Sequence, residues 1–160
     1  MSDSLATYLR DHLAGAAHAI ELVEAMRDHY KGTPLGEFAA TLLVDIQADR
    51  EVLRKLAERI GAGSNGLKEI AGWLSEKVAR LKMDHSDRTG LGTFEALEFL
   101  ELGIFGKLSL WRALSATAAT DSRLTGMDFA QLAARAESQR AKVEQQRLDA
   151  ARVALLPSKN

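Results

Sequence analysis

The chain has 160 residues, about one domain's worth, with 21 basic against 22 acidic side chains and a net charge of -1. That balance offers no electrostatic attraction to nucleic acid or to an anionic membrane. The lack of cysteine excludes disulfides, thiolate-bound zinc, iron–sulfur clusters and thiol catalysis.

In chain order the pattern predicts five helices. The first runs from about Ser4 to Tyr30 with an apolar stripe of Leu5, Leu9, Ala16, Ile20, Val23, Met26 and Tyr30, and Lys31-Gly32 closes it. Thr33-Pro34 opens the second as N-cap and first helical residue; its stripe is Leu35, Leu42, Ile46, Leu53, Leu56 and Ile60, and Gly61 is its C-cap glycine. A glycine-rich link leads to a shorter helix over about Leu67 to Met83, and a polar loop covers Asp84 to Gly92. Thr93 caps a long helix from Phe94 to about Ala119, whose face includes Leu97, Leu100, Ile104, Leu108, Trp111 and Leu114. The last helix starts at Asp128, with Gln131 completing a capping box, and runs to about Leu156 before Pro157.

This layout predicts a single all-α domain over 1–160: a helical hairpin (4–61), a crossover holding a short extra helix (62–92), and a second hairpin (93–156). Only 2 prolines and 6% aromatics suit long helices, and 46% hydrophobic residues suffice for a core. No apolar run approaches the roughly 20 residues that span a bilayer. Met1-Ser2-Asp3-Ser4 is polar and acidic, unlike a signal peptide, so a cytoplasmic protein is expected.

Because an unpaired buried charge is costly, the polar residues that fall on apolar stripes are the informative ones. They are His12, Asp49, Glu101 at the edge of its face, Gln139 and Gln146, with Arg140 and Arg147 flanking; His18, Glu21, Asp28 and His29 point away from the stripe. Counting residues from the interhelical turns places His12 near the level of Asp49, and Glu101 near Gln146 and Arg147. Two readings stand for these groups. One is a hydrogen-bonded polar layer that fixes helix register; the other is a metal or small-ligand site with His12, Asp49 and Glu101 as its corners.

Other motifs are chemically empty in context. Gly61-x-Gly63-x-x-Gly66 spells a dinucleotide fingerprint but follows a helix and lacks a βαβ unit. Asp84-His85-Ser86-Asp87 holds the residue types of a triad, but contiguously in a loop. The arginines and lysine of the last helix interleave with Glu137, Glu144 and Asp149, as on a salt-bridged solvated face. Trp73 lies off its helix's main stripe, where it either packs on the neighbouring hairpin or anchors a homodimer.

The segment Leu13-Ala14-Gly15-Ala16-Ala17-His18-Ala19 resembles the first helix of rubrerythrin-type members of the ferritin-like superfamily, where an Ala-Gly pair precedes a metal-binding glutamate. The segment from Asp49 to Leu56 resembles that family's Glu-x-x-His motif. The resemblance implies an antiparallel four-helix bundle with two hairpins and a long crossover, and a di-iron centre. The ligands, however, depart from the family's pattern. Ala16 takes the glutamate's place, Asp49 stands for a glutamate and Val52 for the histidine, and the last helix offers Glu137-x-x-Arg140 or Glu144-x-x-Arg147 without any histidine. Valine has no lone pair to give and arginine no acceptor. The expectation is therefore a ferritin-like bundle without an intact di-iron site and without cofactor, acting as a non-catalytic interaction or stress-associated accessory protein, as a homodimer. The alternative is a metal- or small-ligand-binding protein or enzyme built on His12, Asp49 and Glu101.

Overall fold

In the computed structural model, residues 3–62 and 90–157 are described. They form four α-helices: α1 (Ser4–His29), α2 (Pro34–Ile60), α3 (Leu91–Thr117) and α4 (Phe129–Ala154), with a 3-10 turn at Ser122–Leu124. Among the described residues there is no strand, and no helix is long and apolar enough to cross a membrane. The expected short helix over 67–83, Trp73, Gly63, Gly66 and the 84–87 quartet lie outside the described residues.

The helix ends follow from local chemistry. Asp3 starts α1, its carboxylate accepting from the Leu5 amide at 3.0 Å. Thr33 starts α2, accepting from the Gly36 amide at 3.3 Å with Pro34 in the first turn. Gly61 ends α2 at φ 80°, a left-handed cap that glycine adopts without steric cost. Asp128 caps α4 through the Gln131 amide at 2.9 Å. One boundary differs from expectation. The chain turns into α3 at Gly90, φ 71°, and the helix starts at Leu91, not Phe94. Thr93 is thus inside the first turn, and its hydroxyl hydrogen-bonds the Tyr30 hydroxyl.

Cross-helix contacts set the directions. Tyr30 at the end of α1 meets Thr93 at the start of α3, while Asp3 at the start of α1 pairs with Arg123 beyond the end of α3. These two helices are antiparallel. Arg59 at the end of α2 donates to the Thr125 carbonyl at 3.2 Å, so α2 ends where α3 ends, and the two are parallel. The sense is up, down, down, up. Packing is densest within each hairpin, α1 on α2 and α3 on α4; the hairpins meet mainly along the α1–α3 seam.

Meeting two neighbours widens the buried face of α1 beyond one stripe. Leu9, Val23 and Met26 are buried as expected, but Ala14, His18, Leu22 and Ala25 form a second buried row at steps of four, four and three. His18, expected to point outward, is therefore buried, with only 8% of its surface exposed. His29, Glu21 and Asp28 are exposed.

Candidate functional site

Asp49 sits mid-way along α2 and is buried, as its place on an apolar stripe suggests. A buried carboxylate needs partners, and three converge on it. The Lys107 ammonium from α3 lies 2.6 Å from Oδ2, and the Gln139 amide from α4 donates to the same oxygen at 2.9 Å. The Arg135 guanidinium lies 2.8 Å from Oδ1, without the alignment of a hydrogen bond. Lys107 also donates to the Gln139 side-chain oxygen, closing a triangle between three helices. Burial pushes the Lys107 ammonium below the ordinary lysine range, and the Asp49 charge opposes that shift.

Beside this cluster α1, α2 and α3 enclose a partly open cavity of about 250 Å³. Its floor and walls are largely apolar: Ile46, Leu53, Phe99, Ile104 and Leu110. The space exists because the residues flanking it are small. Gly15, Ala16 and Ala19 from α1 and Gly103 from α3 line it, and a Cβ on either glycine would meet nothing within 4 Å. Mid-helix glycine costs about 1 kcal/mol against alanine, so filling these positions would favour both helices.

The polar lining is sparse. His12, His18, Asp49, Arg50, Lys107 and Trp111 line the cavity. Four of them carry a buried atom with no hydrogen-bond partner among the described residues: His18 Nδ1, Asp49 Oδ1, Arg50 Nε and Trp111 Nε1. All four line one cavity; Asp49 Oδ1 has the Arg135 charge beside it, and each of the other three costs about 1–3 kcal/mol. Trp111 is wholly buried, its ring stacked on Phe129 with centroids 6.3 Å apart.

The sequence-derived candidates divide. His12 and Asp49 line the same cavity, but His12 packs edge-on against Tyr8 at 4.7 Å, and the partners of Asp49 are Lys107, Arg135 and Gln139. Burial holds His12 below the ordinary histidine range, with only partial opposition from Asp11. Glu101 is not part of the cavity lining and pairs with Arg140, whose guanidinium also lies 5.0 Å over the Phe105 ring. Arg147 pairs instead with Glu98 and Glu144. Gln146 is half-buried.

These residues do not fit the di-metal centre that the sequence resemblance implies. Among the described residues no three histidine, aspartate or glutamate side chains gather into a ligand set. Ala16 lines the cavity where a ligand would be needed, Val52 is a half-buried apolar side chain packed on the core, and cations flank Asp49.

No family model, curated protein or solved structure matches the chain. What the site can do must therefore be read from its geometry. Lys107, His18, Arg50 and Arg135 are the residues that stripe reading passes over. The available signal was a lysine inside the Leu100–Ile104–Leu108–Trp111 stripe.

Proposed function

We propose that this protein is a ferritin-like bundle that has exchanged metal chemistry for binding a small apolar molecule, and that it serves as a non-catalytic carrier or sensor. The up-down-down-up sense of its helices supports the ferritin-like reading. The Lys107 ammonium supplies to Asp49 the positive charge a metal ion would otherwise bring. One observation carries the binding reading, the cavity of about 250 Å³ between α1, α2 and α3. An apolar cavity of about 150 Å³ is already enough to take up benzene. Among the described lining residues Asp49 and Lys107 are engaged with each other and with Gln139, which favours binding over turnover.

The test uses the full chain and the neutral fluorophore N-phenyl-1-naphthylamine. Saturable one-to-one binding with enhanced emission is expected, abolished in Ala16→Trp while helical circular dichroism is unchanged. Absence of saturable binding would show the cavity reading to be wrong. Elemental analysis after anaerobic exposure to Fe(II), Mn(II) and Zn(II) should find only substoichiometric metal; one tightly held ion per chain would restore the metal reading.

A second proposal concerns assembly. Leu102 and Phe105 project from the outer face of α3 at 59% and 45% exposure, which favours a homodimer through that face. Light scattering should give a dimer that Leu102→Glu converts to monomer; a monomer from the outset would refute it.

A further inference from the structure

The chemistry of the unpartnered groups narrows the ligand. We infer that the cavity takes an apolar monoanion: a hydrocarbon or ring body with a single carboxylate-type head. This rests on the small-molecule reading above and goes beyond it by naming the ligand's polar end.

Trp111 Nε1–H and the Arg50 guanidinium donate and cannot accept. Both carry a buried nitrogen without a partner among the described residues, so what they lack is an acceptor. Counting along the helices from the Tyr30–Thr93 contact and the α1–α2 turn puts Arg50 and Trp111 at one level, with His18 about one turn nearer the Tyr30 end. The charge balance points the same way. Asp49 is the one carboxylate among the described lining residues; Lys107 and Gln139 hydrogen-bond its Oδ2, and the Arg135 charge faces its otherwise unbonded Oδ1. Lys107 is committed to that carboxylate, whereas Arg50 forms no ion pair among the described residues. The lining thus has one cation more than it neutralises. Ile46, Leu53, Phe99, Ile104 and Leu110 give the ligand's body an apolar wall.

The experiment measures displacement of N-phenyl-1-naphthylamine from the full chain by octanoate, 1-octanol and octylamine at neutral pH. These share one hydrocarbon body and differ in the head. Octanoate should bind at least about tenfold more tightly than octanol, as expected for a charge-assisted hydrogen bond, and octylamine more weakly than both. Arg50→Gln should erase the preference, so that octanoate binds no more tightly than octanol in the same variant. Trp111→Phe, which deletes the N–H and keeps most of the ring, should weaken octanoate several-fold and octanol, whose neutral oxygen accepts a weaker bond, by less. If the fluorophore binds and octanoate displaces it no better than octanol, the monoanion is wrong and the cavity reading stands. An octanoate preference that survives Arg50→Gln overturns it equally. If neither the fluorophore nor any of the three binds, both readings fall together.

Discussion

Gly36 has no freedom to carry a side chain. A Cβ there would lie 2.1 Å from the Tyr30 carbonyl oxygen, a backbone atom that moves only if the α1–α2 turn opens. Gly36→Ala should therefore destabilise by about 3 kcal/mol, as overpacking does, despite a helix-propensity gain of about 1 kcal/mol; urea denaturation measures this. His12 makes a second residue-level prediction. Its folded pKa is depressed below 6.5 by burial, so the unfolded chain binds the proton more readily. Its contribution is complete above pH 6.5 and lost as pH falls through the folded value. Stability between pH 7 and 5 should decline, and His12→Gln should flatten that slope in thermal melts. At this scale Asp49 and Gln139 were legible, because a polar group on an apolar stripe must find company. Their company was not. Lysine stems commonly lie along apolar surface with the charge in water, so Lys107 reads as a flank residue until the neighbouring helix is seen to hold its ammonium. His18 was misplaced because a single stripe understates a helix with two neighbours.

Between elements, the Asp49–Lys107–Gln139 triangle ties α2, α3 and α4. Removing Lys107 leaves the buried Asp49 carboxylate with only the exposed Arg135 guanidinium to balance its charge. Lys107→Met should cost about 3–5 kcal/mol, whereas the triple change Asp49→Leu, Lys107→Met, Gln139→Leu should return stability to wild type or above. Equal losses in the single and triple variants, measured by urea titration, would show that the cluster acts as independent residues. Helix spans were legible because their caps are written locally: Thr33-Pro34, Gly61 and Asp128 all act as read. The start of α3 was not. Thr93 has the composition of a cap, but Gly90 already supplies the left-handed turn, freeing the Thr93 hydroxyl for Tyr30.

For the molecule as a whole, the two hairpins are the dense units and the α1–α3 seam, with its glycines and alanines, is the thin one. An occupant of the seam should stabilise the fold by about 2.7 kcal/mol at a hundredfold excess over Kd. That corresponds to a Tm increase of about 5–10 °C, read by differential scanning fluorimetry and absent in Ala16→Trp. Periodicity foretold the hairpins, since each is local in sequence. It could not foretell the cavity, which depends on residues 15 and 103 lining one space, far apart in the chain. The Tyr30–Thr93 hydroxyl contact sits at one end of the same seam and is not among the cavity's lining residues. It therefore bears on how the two hairpins are held together and not on what the cavity holds. Losing that clasp in Tyr30→Phe should cost about 1 kcal/mol of stability in urea titration, while the Kd of a cavity occupant stays where it was.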